Sequence, residues 1–229
     1  MSRVPPSVAV PRSGVSLNPG KPRFRGTSHL LAFVSALTLA PLVIVSAPGI
    51  GPRFVIALYA VAIVGLFGVS ALYHRRDWGD RGYAVMRRLD HSMIFVAIAG
   101  TYTPIALFAL PSSSARLVLL VVWIGAIVGI IGRVAWTEAP YPVIAAPYVA
   151  VGWACVLVVG DMWRALGVAG FVLLLVGGVL YTIGAGIYAI RRPDPWPLTF
   201  GYHEVFHLFV IGGAAVHYVA VAFIALPKA

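Results

Sequence analysis

The sequence predicts an all-α integral membrane protein, a seven-transmembrane-helix bundle with its N-terminus in the cytoplasm. Three observations carry this. Of 229 residues, 60% are hydrophobic and only 10% charged, too apolar a balance for a water-soluble domain of ordinary composition. Seven runs are long enough to cross a hydrocarbon core, which takes roughly 20 residues of helix. The basic residues are divided unequally between the two sides, the asymmetry that sets membrane orientation.

Taken in order, residues 1–28 are rich in Pro, Ser, Gly and Arg and lack an apolar core. They read as a disordered, basic cytoplasmic tail, not as a cleaved signal peptide. Residues 29–229 form a single transmembrane domain, with spans at about 29–46, 54–74, 90–110, 116–133, 141–160, 166–190 and 204–226. Span one is short and carries Pro41, and span five bends near Pro142 and Pro147. The connections are short except for Arg75–Leu89 and Arg191–Tyr202, which hold several charges. No internal repeat and no separate soluble domain stands out.

With the N-terminus inside, the cytoplasmic side holds Arg3, Arg12, Lys21, Arg23 and Arg25 in the tail. It also holds Arg75, Arg76, Arg81, Arg87, Arg88, Arg133, Arg191 and Arg192 in the loops. The far side keeps Arg53, Arg116, Arg164 and Lys228. The formal net charge of +10 therefore fits loops that face anionic headgroups. No basic surface interleaved with aromatics suggests nucleic acid. The expected location is the cell membrane, crossed several times, with membrane lipids as partners. The single cysteine, Cys155, excludes an intramolecular disulfide.

On that topology the rare polar groups of the spans share one depth. Span two ends in Ser70 and His74, span three opens with Asp90, His91 and Ser92, and span seven opens with His203, Glu204 and His207. All lie at the cytoplasmic end. His203 and His207 are four residues apart, and so are Ser70 and His74, which puts each pair on one helical face. His74, His203 and His207 thus form a candidate metal site, and three nitrogens with a fourth position for water suit a catalytic zinc. Asp90 is placed to accept a proton from a water there, and Ser70 to steady a developing oxyanion.

Each residue also has a plainer reading. The two histidines of span seven could be satisfied by loop backbone, His74 could close a helix, and Asp90 could be the N-cap of span three. His203-Glu204-x-x-His207 meets the metalloprotease pattern, with Glu204 as base; the alternative for Glu204 is a partner of the helix N-terminus or a loop contact. His91 points roughly 100° away from Asp90 and reads as a supporting or packing residue. His217 reads as an interhelical hydrogen-bonding group, and His29 as an interface anchor. Trp78, Trp136, Trp163 and Trp196 read as interfacial anchors. The glycines from Gly177 to Gly213 allow close helix approach.

The motifs Ser70-x-x-x-His74, Arg88-Leu89-Asp90-His91-Ser92, Gly100-Thr101-Tyr102-Thr103-Pro104 and His203-Glu204-Val205-Phe206-His207, with the later His217, resemble those of the hemolysin III family. That family is related to progestin and adiponectin receptors and, more distantly, to alkaline ceramidases. The resemblance covers nearly everything after the tail. It implies a seven-helix bundle, zinc held at His74, His203 and His207, and Asp90 and Ser70 beside the water. It also implies hydrolysis of a lipid amide or ester; the alternative is a non-catalytic, zinc-stabilised pore-forming hemolysin, or a membrane-lipid homeostasis or receptor-like protein. With no folded N-terminal domain in the sequence, receptor-type signalling is not the expectation.

Overall fold

The structure is a computed structural model and describes residues 21–229; the expectation for residues 1–20 lies outside the described residues. It is all-helical, and no strand occurs among the described residues. Seven α-helices follow one another among the described residues: α1 (Thr27–Ser46), α2 (Ile50–Arg75), α3 (Asp80–Ala109), α4 (Ser112–Ala135), α5 (Tyr141–Gly152), α6 (Val159–Ile190) and α7 (Tyr202–Val219). A 3₁₀ turn, Ala154–Val158, joins α5 to α6, and α7 runs on through a π-helical stretch, Ala220–Ala225.

Among the described residues six segments are long and apolar enough to cross a membrane, and one of them, Tyr141–Ile190, is 50 residues long. At 1.5 Å per residue an unbroken helix of that length would far exceed a hydrocarbon core of about 30 Å. The segment is broken instead. The 3₁₀ turn interrupts it, and Gly167 adopts φ 65° and ψ −178°, a conformation open to glycine and costly to other residues. Its two ends meet, with the Tyr141 and Tyr188 rings 5.0 Å apart. The segment therefore folds back on itself.

Each helix packs against its neighbours in sequence, and α7 closes on α1, so the chain forms a ring with α3 also touching α5 and α6. The interior uses small and aromatic side chains, among them Ala99, Ala106, Phe95 and Tyr59, all buried. The outer surface is apolar instead of charged: Val61 is 68% and Val128 63% exposed. In water such a surface would be an aggregation liability; against lipid tails it is solvated. The chain is a multi-pass membrane protein.

Three boundaries differ from the sequence expectation. Helix α3 begins at Asp80, so Asp90 lies in its third turn and is not its N-cap. The first ten residues of α3 mix charged and apolar side chains and continue the helix beyond the apolar run that marked span three. Residues 21–28 are tied down, because Arg23 and Phe24 donate backbone N–H groups to Leu198 and Thr199 carbonyls at 3.0 Å each. Arg133, expected in a loop, is only 5% exposed and donates to the Trp136 and Thr137 carbonyls at 2.8 and 3.3 Å. It closes the C-terminus of α4, where a cation suits the helix dipole.

Candidate metal centre

The three helix ends that carry the polar motifs do meet. His74 sits in the last turn of α2 and His203 and His207 in the first turns of α7, all on one face of the closed ring. One nitrogen from each of these three residues lies within 4.8 Å of the other two. The Nε2 atoms of His74 and His203 are 3.1 Å apart. Two nitrogens bound to one tetrahedral ion at 2.0–2.1 Å would be roughly 3.3 Å apart, so the donor set fits a metal ion. His207 supplies a second indication. It is 1% exposed, and its buried Nδ1 has no hydrogen-bond partner among the described residues. A buried imidazole nitrogen left unpaired is costly unless something else occupies it.

Ser70 and Asp90 line the same cavity as His203 and His207, so the structure brings all five expected site residues to one end of the bundle. The cavity holds about 130 Å³. Its walls are mostly apolar, with Leu66, Ile94, Ile98, Phe206 and Val210 among them. It reaches from His207 to His217, ten residues along α7 or roughly 15 Å. His217 stays off the metal set and donates from Nε2 to the Leu174 carbonyl at 3.2 Å, as an interhelical group should. The approach of α6 that allows this depends on Gly177, where a Cβ would lie 2.2 Å from the His217 ring. His91 also lines the cavity but belongs to another cluster. Arg133 donates to its Nδ1 at 3.2 Å, and the Tyr188 hydroxyl lies 3.4 Å from its Nε2. Because arginine can only donate, Nδ1 is the acceptor.

Glu204 is held at the helix end. Its Oε2 accepts the Gly201 N–H at 2.7 Å, and its Oε1 is 2.6 Å from Arg25 Nε, with the carboxylate 1% exposed. It closes the N-terminus of α7 and binds the N-terminal strap to it, which sets aside the metalloprotease reading of His203-Glu204-x-x-His207. The strap lies directly against the site. At Gly26, with φ 75°, a Cβ would come within 2.6 Å of the His74 Cβ.

His29 corrects the sequence reading. It is no interface anchor: it is 3% exposed, its Nδ1 is 2.8 Å from the Ser70 hydroxyl, and its ring stacks on His207 at 3.6 Å and 7°. A single histidine at the start of an apolar run offers no periodicity by which to find this. Only the motif context of Ser70, four residues from His74, hinted that Ser70 faced inward.

A multi-pass helical membrane protein with a three-histidine metal-type site at one end of its bundle is the class that this geometry defines. The chain belongs to the haemolysin-III-related family, whose pattern it matches over residues 18–218. It is 36% identical over 172 residues to Hemolysin-3 of Bacillus cereus, covering 75% of each chain. It is 31% identical over 166 residues to the Hemolysin-3 homolog of Bacillus subtilis (strain 168), covering 72% of this chain and 75% of that one. A shorter match, 44% over 50 residues, joins it to the adiponectin receptor protein of Drosophila melanogaster, over 20% of this chain and 11% of that one.

Proposed function

We propose that the protein is a zinc-dependent hydrolase of the cell membrane that cleaves a lipid amide or ester at the cytoplasmic end of its bundle. The observation that carries this is the convergence of His74, His203 and His207 beside an apolar cavity that His203, His207, Asp90 and Ser70 line. A closed structural site would complete its coordination with protein atoms; three nitrogens beside a cavity leave a position for a reactant. A zinc ion held by these histidines supplies a Lewis acid and makes water nucleophilic near neutral pH.

The chain's own residues do the rest. Asp90 takes a proton from the attacking water at a carboxylate oxygen and returns it to the departing amine or alkoxide. The Ser70 hydroxyl donates to the carbonyl oxygen as charge builds on it. The apolar wall from Leu66 to Val210 receives the acyl chain and keeps bulk water from it. The folding back of Tyr141–Ile190 supports seven crossings. The basic loops support a cytoplasmic N-terminus, which puts the site at the inner leaflet.

The test is metal analysis of purified protein together with lipid profiling of cells. His207→Ala is expected to lose the metal, and Asp90→Ala to keep most of it but lose turnover. A lipid profile unchanged by Asp90→Ala would remove the catalytic role of that carboxylate. The names of the two Bacillus relatives favour a second reading, a metal-stabilised lytic protein without catalysis. That reading expects red-cell lysis by the purified protein, undiminished by Asp90→Ala.

A further inference from the structure

We propose that His29 is a positioning residue of the metal centre, a part that neither its family membership nor the three-histidine set assigns to it. The inference rests on the metal-site reading above. A histidine that binds a metal is ordinarily oriented by a hydrogen bond from its other ring nitrogen, and losing that partner costs about 10–100-fold in metal affinity. Among the described residues no hydrogen bond to the His207 ring orients it. A flat face holds it instead. The His29 ring lies parallel to it at 3.6 Å and 7°, a separation at which any rotation of the His207 ring about its own bond collides with its neighbour.

His29 can serve as that face because it is itself held on two sides. The Ser70 hydroxyl lies 2.8 Å from its Nδ1, and the Phe67 ring packs edge-on to it at 5.2 Å and 67°. Both come from α2, which also carries His74. Helix α1 therefore takes its orientation from α2 and passes it to α7, so that His74 and His207 are set relative to one another through His29. The Ser70 hydroxyl is constrained by the same bond.

The test uses the full chain in detergent, stripped with a chelator and titrated with Co²⁺, whose visible absorption reports ligand geometry. Wild type should bind one ion, and His207→Ala should bind none. His29→Ala should bind about 10–100-fold more weakly with a shifted band. His29→Phe, which keeps a stacked ring but loses the Ser70 bond, should retain most of the affinity. If His29→Ala does not fold, His29→Leu against His29→Phe makes the same comparison, since only phenylalanine offers a flat face. Equal affinity and an unchanged band in His29→Ala, or equal affinity of the leucine and phenylalanine variants, would overturn the proposal. Wild-type protein that takes up no Co²⁺ would overturn the metal reading itself, and this inference with it.

Discussion

The two ends of the bundle each carry a polar cluster, and they differ in what they leave unpaired. At the end away from the histidines, Asp161 is met by the Ser114 hydroxyl and by Arg164 at 2.5 Å, with the arginine side chain 74% exposed. Both charges of this pair have a partner, and water reaches both. At the histidine end, Glu204 and Arg25 meet at 2.6 Å with exposures of 1% and 18%, and His207 is buried with Nδ1 unpaired among the described residues. Exposed ion pairs contribute little because water and salt already solvate their charges. Buried groups without partners cost free energy, and a fold that keeps them is holding them for something else. Polar residues at the end of a membrane helix thus do not mark a site; buried ones with spare valence do.

Three substitutions would break or sharpen this contrast. Arg25→Ala strands the buried Glu204 carboxylate and is expected to cost about 3–5 kcal/mol, read as a large fall in the unfolding midpoint in detergent. Gly26→Ala forces a Cβ into a left-handed backbone, at about 1–2 kcal/mol, and against the His74 Cβ. It should lower stability less than Arg25→Ala while also weakening metal binding, since the clash falls on the α2 turn that carries His74. Arg164→Ala, at the opposite end, should leave the unfolding midpoint unmoved. A midpoint as low for Arg164→Ala as for Arg25→Ala would show that the two clusters are energetically alike and that the contrast is wrong.

Much of the site was legible because it rests on local geometry. Spacings of four place Ser70 with His74 and His203 with His207 on shared faces, and alternating crossings place three helix ends at one depth. The same reasoning gave Glu204 two readings, a base and a partner of the helix N-terminus. The choice was made by Arg25, about 180 positions earlier in the chain, through an ion pair that no sequence period encodes. Asp90 misled in a different way. The apolar run starts beside it, but the helix starts at Asp80, because amphipathic residues extend a helix past the membrane-like stretch without changing its period.

The sequence by itself determined the solvent this protein lives in, the apolar runs long enough to cross it and the histidines that share a face. Each of those follows from hydrophobicity and from the fixed pitch of a helix. The closing of α7 onto α1, the stacking of His29 on His207 and the strap latched over His74 were decided only by the tertiary structure. They are contacts between surfaces far apart in the chain, where side-chain shape and the loss of solvent, and not helical repeat, select the partner.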